Sequence, residues 1–219
     1  STTRLVYASL NYELNEAFYN QVFKKKSNGK PYKLGDVVKY TKNNAGQDEN
    51  KRNFSLIGDP AITLPLGEKQ IVTDSLQANN LSADTLQALD KVSVSGHVED
   101  HTGSIDENYS GEAFIRVKGK EHQITTRAND GGTPFQYNDR ENTLFKGTVT
   151  VKDGFFESNF VVPLDLTSEY GRGKMNYFSD NSSIAQGFDK SFVVGGTSDN
   201  VLNDDKGPSI KLFMNNKDF

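Results

Sequence analysis

The sequence predicts an α+β chain of more than one unit: a partial α/β unit over residues 1–66, then an antiparallel β-sandwich over residues 92–195. Three observations lead there. Leu14, Phe18 and Val22 recur at i, i+4 and i+8, the spacing of one helix face. From Val92 the period changes to two, with Val92, Val94, Gly96 and Val98 separated by Ser93, Ser95 and His97. Asp153-Gly154 then falls between two alternating runs, the dipeptide that a tight hairpin with two positive-φ residues demands.

In chain order, Arg4 to Ser9 is short and apolar enough for a strand. Asn11 suits the N-cap of the following helix, with Glu13 and Glu16 near the positive pole of its first turn. Lys24-Lys25-Lys26 reads as a solvated helix end. Leu34, Val37, Val38 and Thr41 make a second, shorter stripe that Gly46 would stop. Phe54, Leu56 and Ile57 form an apolar run, read as a buried strand. Gly58-Asp59-Pro60 forces a turn, and Ala61, Ile62 and Leu64 resume. A β-α-α-β order implies parallel pairing, and so few elements cannot cover both faces of a parallel sheet. This unit is expected to need further sheet, from the remainder of its own domain or from a neighbouring molecule.

Residues 67–91 read as a connector pinned by Leu76, Leu81, Leu86 and Leu89, with a helical turn near Asp84 to Asp90. Beyond Val92, strands are expected at Ala113–Val117, Gln123–Arg127, Leu144–Val151, Phe155–Val162, Lys174–Phe178 and Phe188–Val194. Short strands with regular turns and no long helix point to an immunoglobulin-like sandwich, without the cysteine pair and tryptophan of antibody domains. Residues 196–219 read as a linker and the first strand of a further domain, with Ile210, Leu212 and Met214 alternating with Lys211 and Phe213. Both ends are expected to be internal to a longer protein.

With 219 residues and a net charge of −4, the chain offers no electrostatic reason to expect nucleic acid as a partner. It has no cysteine, which removes disulfides, thiolate metal sites and a thiol nucleophile. No run approaches the roughly 18 apolar residues of a membrane span. His97 and His101 flank Glu99 and Asp100, but at a strand end rather than on one helix face, so a surface role is expected over metal binding. His122 stands apart. The acidic loop from Asp100 to Asn108, and Asp199, Asp204 and Asp205, lack the spacing of a calcium loop. Asn181-Ser182-Ser183 fits a glycosylation sequon. Ser55 and Asp59 belong to no recognisable nucleophile arrangement. The 14 Phe and 9 Tyr, without Trp, mostly sit at strand positions that suit core packing rather than a sugar platform. No catalytic, cofactor-binding or metal-ligating residue is assigned, and no cofactor is expected.

As a string, Leu56-Ile57-Gly58-Asp59-Pro60-Ala61 resembles the end of the catalytic fold in gingipain-like cysteine peptidases. Leu5-Val6-Tyr7-Ala8-Ser9 with Asn11-Tyr12-Glu13-Leu14, and Leu34-Gly35-Asp36-Val37-Val38, are similar to the strand and helices before it. Gly96-His97-Val98-Glu99-Asp100, Asn129-Asp130-Gly131-Gly132, Leu144-Phe145-Lys146-Gly147, Val161-Val162-Pro163 and Asp205-Lys206-Gly207-Pro208 are similar to the segment after the peptidase domain in PorU-type sortases of type IX secretion. The resemblance implies a caspase-like, gingipain-type unit whose catalytic Cys and His lie upstream of the matched segments. No residue here inherits either role, and the chain alone should be inactive, supplying scaffold and docking surface. It further implies secreted protein cargo and secretion-system components as partners of the parent. The implied location is secreted or outer-membrane-associated, at the surface of a Gram-negative bacterium. A non-enzymatic adhesion module is the alternative.

Overall fold

The computed structural model describes residues 7–46, 50–181 and 183–199. Three helices come first: α1 (Ala8–Val22), α2 (Leu34–Asn44) and α3 (Asn50–Asn53). Strands come next: β1 (Lys69–Ala78), β2 (Leu81–Ser82), β3 (Thr85–Ala88), β4 (Lys91–Glu99), β5 (Gly111–Lys118), β6 (His122–Thr125) and β7 (Gln136–Asp139). The remainder are β8 (Thr143–Val151), β9 (Phe155–Val161), β10 (Gly171–Arg172), β11 (Lys174–Ser179), β12 (Ala185–Asp189) and β13 (Val193–Thr197). The chain is sheet-rich α+β with few helices.

The large sheet runs β8-β5-β11-β12-β1-β4-β9, with β2 paired to β1 off this path. It folds over on itself. Its two ends, β8 and β9, meet in a hairpin bridged at Lys152 and Phe155, and Phe145 stacks on Phe160 at 4.5 Å. The halves β8-β5-β11-β12 and β1-β4-β9 enclose one core that includes Ile71, Val94, Ile115, Phe156, Met175 and Tyr177. Within the ladder they join where β1 and β12 run parallel, with Lys69 opposite Ala185 and Gln70 opposite Gln186. Thr73 on β1 and Tyr177 on β11 clasp across the core at 2.6 Å. Burial pushes the Tyr177 hydroxyl well above its ordinary pKa, against the opposing pull of that hydrogen bond.

The alternation read from Val92 survives as the pattern of β4, whose Val92, Val94 and Val98 are buried. Gly96 continues the inward row because Phe156 lies directly opposite and its ring occupies the space a Cβ would need. Asp153 and Gly154 adopt φ 52° and 83°, the paired positive angles of a type I′ turn.

Several expectations fail. Residues 67–91 are not a connector: Lys69–Ala78 is a ten-residue strand inside the large sheet, pairing β4 on one side and β12 on the other. The expected helical turn near Asp84 to Asp90 is strand β3, hydrogen-bonded in parallel to β13. Pairing is therefore not wholly antiparallel. Asn79 and Asn80, at φ 53° and 66°, close β1 onto β2 as a second tight turn. Ala8 and Ser9 open helix α1, and Asn11 is not its cap: the Asn11 N–H already donates to Tyr7 O at 3.0 Å within the first turn. The strand expected from Arg4, apart from these last residues, and the one expected from Ile210 lie outside the described residues.

Candidate functional site

The helical segment has a small core of its own in Leu14, Val22, Val37 and Ala45, separate from the core cluster of the large sheet. Lys33, the N-cap of helix α2, makes no side-chain capping bond. Its first N–H groups are satisfied by the Gly-Asp-Pro turn instead: Leu34 N donates to Ile62 O at 2.8 Å and Gly35 N to Pro60 O at 2.9 Å. Asp59 Oδ1 accepts from Ala61 N at 2.8 Å and holds that turn's shape. A Cβ at position 35 would lie 2.9 Å from Pro60 Cβ, so glycine permits the approach. The motif singled out in the sequence thus acts as a backbone cap.

The segment before the turn is not a buried strand. Ile57 is 79% exposed, Leu56 37% and Ile62 52%. These residues are extended but pair with no strand ladder among the described residues, so apolar side chains that a sheet would bury face outward. Beside them, Leu14, Phe18, Val38, Phe54 and Leu56 line a groove of about 300 Å³ between α1, α2 and the extended segment. On another face of α1, Tyr12, Tyr19 and Phe23 are exposed at helical spacing, with Tyr19 stacked on Phe23 at 6.4 Å. This bare apolar edge is the candidate site, and its chemistry is that of a docking surface.

The residues weighed for chemistry are scattered. His97, on β4, hydrogen-bonds Asp74 at 2.7 Å through Nδ1 and Glu99 at 3.1 Å through Nε2. Both ring nitrogens are thereby engaged, and no group of His, Asp and Glu has metal-binding geometry among the described residues. His101 packs against Gly29, and His122 begins β6. In the acidic loop, Asp100 turns its carboxylate onto the Thr102 hydroxyl at 2.6 Å and the backbone N–H groups of Thr102 and Ser104. Those bonds, the Thr102 hydroxyl first, hold its carboxyl below the ordinary value. Asp106 pairs with Lys69. Asp59 is engaged within its own turn, and Asn181 of the sequon donates to Ser110 O. Among the described residues no helix is long and apolar enough to cross a membrane, which says nothing of strand-built barrels.

The residues that build the capped turn and its bare edge match a known family model, that of peptidase family C25, over residues 1–65. The whole fold is similar to the crystal structure of dimeric latent PorU from Porphyromonas gingivalis, at TM-score 0.60 and 26% identity over 90% of this chain. The chain spans 20% of that PorU chain. Two further structures match below the level that supports an argument. One is Spo0M, a sporulation control protein of Bacillus subtilis (TM-score 0.35, 14% identity, 58% of this chain and 49% of that one). The other is a cycloisomaltooligosaccharide glucanotransferase of a Paenibacillus species (0.31, 12%, 60% and 15%). No curated protein matches the sequence.

Proposed function

We propose that this chain is the non-catalytic, carboxy-terminal part of a PorU-like cysteine endopeptidase acting on type IX secretion cargo. In this reading the C25 segment packs its bare edge onto a catalytic sheet carried by preceding polypeptide, which supplies the Cys–His pair. The sandwich, immunoglobulin-like in its two facing halves, is a rigid support and docking surface at or beyond the bacterial outer membrane. The observation that carries the reading is the exposed run of Leu56, Ile57 and Ile62 in a segment that matches a peptidase family. Exposed side chains of that size, beside an apolar groove, are what an interrupted sheet leaves behind.

The test is reconstitution. The polypeptide encoded immediately upstream of Ser1 is co-expressed with this chain and assayed on a cargo-derived peptide. The proposal expects a stable complex whose hydrolysis is lost on thiol alkylation, while this chain alone is inert. Absence of a cysteine and a histidine in the upstream coding sequence, or failure of the two pieces to associate, would overturn it.

A further inference from the structure

The outer face of the half-sheet β8-β5-β11-β12 concentrates positive charge on a protein whose net charge is −4. Strand register brings together residues far apart in sequence. Lys146 on β8 lies opposite Arg116 on β5, which lies opposite Asn176 on β11, which lies opposite Phe188 on β12. The rows on either side pair Phe114 with Phe178 and Lys118 with Lys174. Of the described residues directed outward from these four strands, only Glu112, at the far end of β5, is acidic. Arg116, Lys146, Lys174 and Lys190 form no ion pair with any carboxylate among the described residues.

The aromatic rings are already flanked. Arg116 and Lys146 each stand 5.6 Å from the Phe114 centroid, and Lys174 and Lys190 stand 5.4 and 5.5 Å from the Phe188 centroid. Phe188 remains 65% exposed and Phe178 44%. Rings covered by cations are poor platforms for stacking sugars or bases, which need an open face. What the surface offers is a set of cations without ion-pair partners, spaced around apolar ring edges, with Glu121 and Asp139 bordering its Lys118–Lys174 end.

We propose that this face binds an acidic polypeptide segment in which carboxylates alternate with apolar side chains. The carboxylates meet Arg116, Lys146, Lys174 and Lys190, and the apolar groups pack on Phe178 and Phe188. The crowding of like charge supports this: partial burial first, then Lys190, Arg140 and Lys118, push the Lys174 ammonium below its ordinary pKa. An incoming carboxylate relieves that repulsion. The proposal stands on the strands' own register and does not depend on the peptidase reading.

The experiment measures fluorescence anisotropy of a labelled short peptide alternating glutamate and leucine, titrated with the full chain at low and moderate salt. A lysine–leucine peptide, a heparin oligosaccharide and a single-stranded oligonucleotide serve as competitors. Saturable binding of the acidic peptide alone is expected, weakening as salt rises. Lys174→Gln with Lys190→Gln should weaken it roughly tenfold or more, and Phe188→Leu should weaken it less, with near-UV circular dichroism unchanged. Should the double variant fail to fold, Arg116→Gln with Lys146→Gln on the neighbouring strands is read instead. No saturable binding, preference for heparin or the oligonucleotide, or binding indifferent to these substitutions would overturn the proposal. So would concentration-dependent self-association abolished by the same variants, which would assign the face to a second copy.

Discussion

Replacing Asp90 by alanine should unfasten the segment that ties β1 to β3 and β4. Asp90 is 3% exposed, and its carboxylate accepts from Asn79 Nδ2 and Gln87 N, both at 2.7 Å. Its own carbonyl accepts from Val162 N at 3.0 Å, while Asn79 Oδ1 accepts from Lys91 N at 3.1 Å. One side chain therefore links the Asn79-Asn80 turn, β3 and the start of β4. Alanine leaves the Gln87 N–H and the Asn79 amide without their acceptor. Each stranded buried donor costs about 1–3 kcal/mol. Asn79 keeps a long contact to Ser198 Oγ at 3.5 Å, which moderates its share. The total loss comes to about 2–4 kcal/mol, or roughly 4–16 °C in Tm for a protein of this size. Urea melts followed by near-UV circular dichroism give the value, and Asn79→Ala completes a double-mutant cycle. The two substitutions should be clearly non-additive, because they remove the same bond. A loss for Asp90→Ala below about 0.5 kcal/mol, within the range of surface substitutions, or simple additivity with Asn79→Ala, would refute this picture of the 79–91 segment.

Gly96→Ala should destabilise by about 1–3 kcal/mol in the same melts, because the new methyl group meets the Phe156 ring and the Val72 carbonyl. The Asp100 carboxyl is held below its ordinary value, so the stabilisation it gives its loop is present above the usual carboxylate range. That stabilisation is lost as pH falls through the depressed value. Amide exchange at Thr102 and Ser104 across an acid titration should show this, and Asp100→Asn should flatten the profile. The isolated chain should hydrolyse no casein or peptide substrate, since it contains no thiol. Activity that survives rigorous removal of contaminants would contradict that expectation.

The features legible in the sequence were local ones. The alternation from Val92 and the Asp153-Gly154 turn depend on near neighbours, and both carry over into β4, β8 and β9. The Asn79-Asn80 turn was missed: two asparagines between Ala78 and Leu81 tolerate the positive φ a tight turn requires, but the irregular leucine spacing pointed to a connector. Long-range pairing was not legible. Nothing within Lys69–Ala78 announces a parallel contact with Ala185 and Gln186, over a hundred residues away. The apolar run at Phe54–Ile57 was read as a buried strand, yet only Phe54 lies in a β-bridge, and Leu56 and Ile57 are exposed outside any regular strand. The Gly58-Asp59-Pro60 turn was visible as a turn, whereas its service to Leu34 and Gly35 as a helix cap exists only in three dimensions. The cationic outer face is likewise a product of register, since Arg116, Lys146 and Lys174 come from three strands.

Hydrogen exchange at Leu56 and Ile57, compared between this chain alone and a longer polypeptide that includes the proposed upstream part, tests the central claim most directly. The account predicts fast exchange of these amides in the isolated chain, and strong protection once a neighbouring strand completes the ladder. Equal exchange rates in the two forms would contradict it, because the apolar edge would then be a finished surface rather than half of a sheet.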